Sequence, residues 1–147
     1  MSWLNEVPGQ LFEDALSLAP NALAADDAMA VAVKAGVEPR RYAIVSLAIA
    51  GLLNCEGFVE ALRGPLDAGI AQKVCLNWRD AELDEQEQAV LAFTEKGTLD
   101  ESSVRQDDVQ ALREAGLSDP DILSLTALVS YQNYALRVAA ALNVNPR

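Results

Sequence analysis

Nowhere in this chain do apolar and polar residues alternate with period two over the length of a strand. Its punctuation is that of helices. Asp84-Glu85-Gln86-Glu87 reads as a capping box, with Asp84 capping and Glu87 reaching back, and Val90, Leu91 and Phe93 follow. Ser118-Asp119-Pro120-Asp121 reads as a second box, with Leu117 and Ile122 placed for a hydrophobic staple. Gly97 and Gly116 read as helix stops, and Asn143 as a left-handed cap at the end of a final helix reaching about Leu142. The expectation is an all-α, single-domain helical bundle with short connections. A chain of 147 residues, 51% hydrophobic and only 5% aromatic, can bury a core without disulfides or metal.

The first half follows the same logic. Leu11, Phe12, Ala15 and Leu16 form a short amphipathic pattern after Pro8, closed by Pro20. Asp26 and Asp27 favour the start of a second helix, which carries Met29, Val31 and Val33 and stops at Gly36. Pro39 opens a third, apolar on nearly all faces from Ile44 to Leu53 and therefore a core element. The apolar run is too short for a membrane span. Gly64-Pro65 falls inside the helical pattern after Cys55, where proline removes a hydrogen bond, so a kink or break is expected, with Gly69 ending that unit.

The available chemistry is narrow. There is no histidine, and Cys55 and Cys75 are the only cysteines. This excludes imidazole acid–base chemistry, Cys/His zinc sites and a Cys-x-x-Cys redox pair. No cofactor and no metal is expected. The net charge of −11 disfavours nucleic acid and anionic membranes. MSWLNEVPGQ has neither the basic region nor the apolar stretch of a signal peptide, so a cytoplasmic protein with reduced thiols is expected.

Three pieces at fixed spacing, LDxxExAxLxFxEK, DVxxLRxAGLSDxDIL and SYxNYxxRVAxALxV, resemble the C-terminal part of peroxidase-related proteins. These belong to the alkylhydroperoxidase D and carboxymuconolactone decarboxylase superfamily. PRRYAIVSLAIAGLLNCEGF resembles the helix that leads into that family's redox motif. The resemblance covers roughly residues 39 to 144. It implies an all-helical, usually oligomeric protein. It also implies a Cys-x-x-Cys-x-x-x-His motif, with a peroxidatic second Cys, a resolving first Cys, and a Glu upstream that relays protons with the His. Here Cys55 stands at the first Cys, Phe58 at the second, Leu62 at the His and Ala43 at the Glu. The motif is degenerate. Residues 1–38 then form N-terminal helices, 39–82 the degenerate redox region and 83–144 the C-terminal helices of one domain.

Two site readings follow. Cys55 is the one candidate catalytic residue, and its competing reading, the favoured one, is a buried core thiol. Glu56 and Glu60, if they share its surroundings, raise its pKa. Asn133 and Arg137 lie one turn apart on the final helix and are candidate binding residues, against a structural hydrogen-bonded pair. Cys75 reads as core, and Tyr131 and Tyr134 as packing residues whose hydroxyls find partners. The functional expectation is a family-like homo-oligomer that has lost thiol peroxidase chemistry and has a non-catalytic or altered binding role. The alternative is a thiol-dependent peroxidase working through Cys55 with an external thiol. The expected partners are a second copy of the chain and a small molecule or thiol.

Overall fold

The computed structural model describes residues 2–6 and 9–147. Among these residues, eight α-helices form a single helical domain: α1 (Phe12–Leu16), α2 (Pro20–Ala35), α3 (Pro39–Leu52), α4 (Val59–Leu62), α5 (Ala68–Asn77), α6 (Glu85–Leu99), α7 (Gln106–Glu114) and α8 (Asp119–Leu142). Short 3-10 turns stand at Glu56–Phe58, Trp78–Asp80 and Glu101–Ser103. Among the described residues none of these helices is long and apolar enough to cross a membrane.

Helix α3 is the axis of the molecule, packed by α5, α6 and α8. Every residue from Ala43 to Ala50 is buried, as an all-round apolar helix demands. Its start is fixed by three devices. Glu38 accepts from the Arg40 and Arg41 amides, Pro39 occupies the first turn, and Arg40 pairs with Glu87 of α6 at 2.5 Å. Near its far end, Gly51 meets α5. A Cβ at that position would stand 1.7 Å from the Cys75 carbonyl oxygen, so only glycine permits this approach.

The C-terminal half matches the expected punctuation. Asp84 accepts from the Glu87 amide while Glu87 accepts from the Asp84 amide. Ser118 and Asp121 make the same reciprocal pair. Leu117 and Ile122 are both buried, Gly116 has φ +99°, and Asn143 ends α8 in the left-handed region.

Four boundaries differ from expectation. Pro20 opens α2 instead of closing α1, and Asp26 and Asp27 sit mid-helix instead of at its start. Gly69 lies in the first turn of α5, which Asp67 caps by accepting from the Ile70 amide. Gly97 lies within α6, facing Val129 of α8. Pro8, expected to precede α1, lies outside the described residues. The break at Gly64-Pro65 is present. Helix α4 ends at Leu62, and Gly64 takes φ +49° over Ala43.

Candidate functional site

The three positions at which the resembled motif would place its second Cys, His and Glu are Phe58, Leu62 and Ala43. Helix α3 presents Ala43 and α4 presents Leu62, and both line a cavity of about 520 Å³. Gly64 and Pro65 form its roof, and Ala30, Val31 and Lys34 of α2 form a further wall. Tyr42, Pro39, Glu13 and Arg147 complete it. Phe58 is half-buried against the core and does not line it.

Polar groups on this cavity's wall, and behind it, come from places that the sequence pattern did not mark. Gln132 of α8 is buried and donates to the Tyr42 hydroxyl at 3.2 Å and to Ser46 Oγ at 2.7 Å. Ser46 in turn donates to the Tyr42 carbonyl. Burial raises the Tyr42 pKa, partly offset by the charge of Arg147. Lys34 sets its ammonium 5.8 Å from the centre of the Tyr42 ring, a cation–π contact. Arg147 is gripped by Asp26 at 2.8 Å, Glu13 at 3.3 Å and Asp27. The Asp26 side chain is only 2% exposed, so this guanidinium is what makes an ionised carboxylate tolerable there. A short parallel bridge between Leu11 and Asn145 holds the C-terminal strap in place, with the Phe12 amide donating to the Asn145 carbonyl.

Cys55 lies elsewhere. It follows the end of α3, its amide donates to the Ala50 carbonyl and its thiol donates to the Leu53 carbonyl at 3.4 Å. It is half-buried and does not line the cavity. Its thiol pKa is raised, first by burial and then by Glu56, with Arg137 pulling weakly the other way. Glu60 instead holds Arg63 at 3.0 Å. Cys75 is buried and pushed up to about 11 by burial, Glu56 and the Cys55 thiol. The two thiols are thus electrostatic neighbours and both are held towards the neutral, unreactive form.

The other sequence candidates divide. Asn133 donates to Thr98 Oγ1 and to the Val129 carbonyl, both at 3.0 Å, and accepts from Arg137 at 3.4 Å. Arg137 therefore comes within electrostatic reach of Cys55, while Asn133 ties α8 to the end of α6. Tyr131 departs from expectation. Its buried hydroxyl lies beside the Asp26 carboxylate, and among the described residues no oxygen or nitrogen comes close enough with the right geometry to complete its hydrogen bond. The residues that sequence reasoning missed are Lys34, Tyr42, Gln132 and Arg147. One signal was available: Tyr42 and Ser46 sit one turn apart as the polar positions of the α3 body that follows Arg41.

No protein-family profile matches the sequence, and no curated protein is significantly similar to it. Solved structures are similar. A peroxidase-related protein from Silicibacter sp. TM1040 superposes with a TM-score of 0.81 at 23% identity, over 92% of this chain and 75% of that one. A protein of unknown function from Agrobacterium tumefaciens, linked by name to the antioxidant defence protein alkylhydroperoxidase D, gives 0.77 at 23% identity over 100% and 99%. A debrominase variant with an alanine in place of a cysteine, in complex with 2,3,4-tribromopyrrole, gives 0.72 at 16% identity over 92% and 76%. The chain carries the alkylhydroperoxidase D-like fold of the peroxidase-related proteins.

Proposed function

We propose that this chain uses the alkylhydroperoxidase D-like fold without its thiol peroxidase chemistry, and serves as a binding protein for a small molecule in the cavity between α2, α3 and α4. The observation that carries the reading is the make-up of that cavity. Ala43 and Leu62 stand where the resembled motif would put a proton relay, and they form an apolar wall instead. Neither side chain can move a proton. A peroxidatic thiol has to be a thiolate, yet Cys55 lies outside the cavity with its pKa raised. A debrominase of the same fold holds a small organic molecule, which supports a binding role for this scaffold.

The second reading, a peroxidase acting through Cys55 with an external thiol, draws on two features. Cys55 is partly accessible, and Arg137 favours its thiolate. Burial and Glu56 outweigh Arg137. The test is turnover of an alkyl hydroperoxide with a dithiol reductant, comparing the wild type with Cys55→Ser. The expected result is no difference between them. Turnover that disappears with Cys55 establishes the second reading.

Self-association belongs to the proposal. Leu76, Leu99 and Leu123 are exposed, at 65%, 59% and 72%, on three different helices, and a second copy is the simplest cover for such side chains. Light scattering at tens of micromolar, roughly the range in which modest-affinity oligomers persist, tests it. A homo-oligomer is expected, and a monomer refutes it. The cytoplasm is the proposed location, in keeping with two unpaired thiols.

A further inference from the structure

We infer that the ligand of this cavity is a small molecule with a hydrogen-bond-accepting carboxylate head and an apolar body, its head received by Lys34 and the Tyr42 hydroxyl. The inference rests on the binding reading above and names the chemical class it leaves open. It follows from which polar groups of the lining remain uncommitted.

The body of the ligand is set by Val31, Val37, Pro39, Leu62 and Pro65, a wall with no hydrogen-bonding side chain. The head is set by elimination among the remaining groups. Glu13, the one carboxylate on the lining, is held by Arg147. Arg147 is itself saturated by three carboxylates, of which Asp26 and Asp27 stand behind it and off the lining. Lys34 is different. Among the described residues no carboxylate lies within ion-pair distance of it, and its ammonium rests over the face of Tyr42. An ammonium has three hydrogens to donate and no lone pair to offer. Tyr42 oxygen already accepts from Gln132 Nε2, and among the described residues no acceptor takes its own hydrogen. That hydroxyl is therefore polarised as a donor. Lys34 thus brings donors to spare, whereas the one carboxylate of the lining already pairs with Arg147. An acceptor head suits these donors, and a carboxylate also answers the charge of Lys34. An ammonium head would have to compete with Arg147 for Glu13 and would meet the like charge of Lys34.

The experiment keeps the body fixed and changes the head. 4-Phenylbutanoate, 4-phenylbutan-1-ol and 4-phenylbutan-1-amine are titrated into methyl-labelled full-length protein by NMR. The expected result is saturable binding of the carboxylate, with Kd near about a millimolar or tighter. Shift changes should centre on Val31, Val37 and Leu62, with weaker binding of the alcohol and none of the amine. Lys34→Met, on an exposed position, should weaken the carboxylate by about tenfold or more, and Lys34→Arg should restore part of it. Tyr42→Phe should weaken it by several-fold, and Cys55→Ser should leave it unchanged. Preference for the amine, shifts centred away from this cavity, indifference to Lys34→Met, or no binding of any probe each overturns the inference. None of these readouts depends on Cys55. Absent peroxide turnover with failed carboxylate binding therefore rejects the ligand class alone, while Cys55-dependent turnover rejects the reading beneath it.

Discussion

The two ends of α3 have separated in chemistry. At the Cys55 end, both thiols are held neutral by burial and by Glu56, and Gly51 lets α5 close tightly over the helix. At the Tyr42 end, about 14 Å away along the axis, polar groups gather from four distant parts of the chain. Lys34 comes from α2, Tyr42 and Ser46 from α3, Gln132 from α8, and Arg147 from the C-terminal strap. The difference teaches where to look for function on this scaffold. A lone cysteine held neutral offers little chemistry, whereas buried polar groups that need one another mark a constraint on the fold. Buried polar side chains cost free energy unless satisfied, so a chain of this size keeps few of them without cause.

The largest effect expected from breaking this contrast is at Arg147. Arg147→Met removes the cation beside Asp26, whose side chain is almost wholly buried. A loss of about 3 kcal/mol in urea unfolding is expected, because an unpaired carboxylate remains inside. In an Asp26→Asn background the same change should cost less than about 1 kcal/mol. Equal costs in both backgrounds would show that the pair is not the cause.

Next comes the alkaline limb of the stability curve. The Cys75 thiol is raised from an ordinary 9.0 to about 11 in the folded state. Between these values the folded state holds more protons than the unfolded one, so stability falls as pH rises. The contribution is intact below about pH 9 and is lost towards pH 11. Thermal melts across this window should lose roughly 1–3 kcal/mol in the wild type through this group. Cys75→Ala should flatten that part of the slope, and an unchanged slope would place the titration elsewhere.

The smallest effect sharpens the picture of the Asp26 corner. The Tyr131 hydroxyl is buried and closes no hydrogen bond. Tyr131→Phe should therefore change stability by less than about 1 kcal/mol in either direction, in contrast to an ordinary buried, bonded tyrosine. A loss above 2 kcal/mol, on the order of a desolvated partner left behind, would show that the hydroxyl satisfies Asp26.

Local signals were legible in the sequence and distant ones were not. The boxes at Asp84 and Ser118, the left-handed Asn143 and the break at Gly64-Pro65 are each set by residues within four positions of one another, so spacing alone exposes them. Pro20 was misassigned because proline suits both the first turn of a helix and the residues just beyond one. Gly69 and Gly97 read as stops in the sequence because a glycine inside a helix gives the same signal as one after it. The buried core and the burial of Cys75 followed from composition. The pair of Asp26 and Arg147 did not, since 121 residues separate them and only tertiary packing brings them together. The same holds for Gln132 on Tyr42, 90 residues apart. Cys55 stands out through a resemblance, while the cavity wall formed by Ala43 and Leu62 depends on α4 folding back over α3.

The central claim is that the fold has been kept while the thiol at Cys55 has been withdrawn from chemistry. The pH dependence of Cys55 alkylation by iodoacetamide, measured in Cys75→Ala protein, tests it most directly, because the rate follows the thiolate fraction. The account expects a midpoint above the ordinary thiol value of 9.0, with slower reaction than glutathione at pH 7. A midpoint at or below that value, and above all one near about 7 where peroxidatic thiols work, would contradict it.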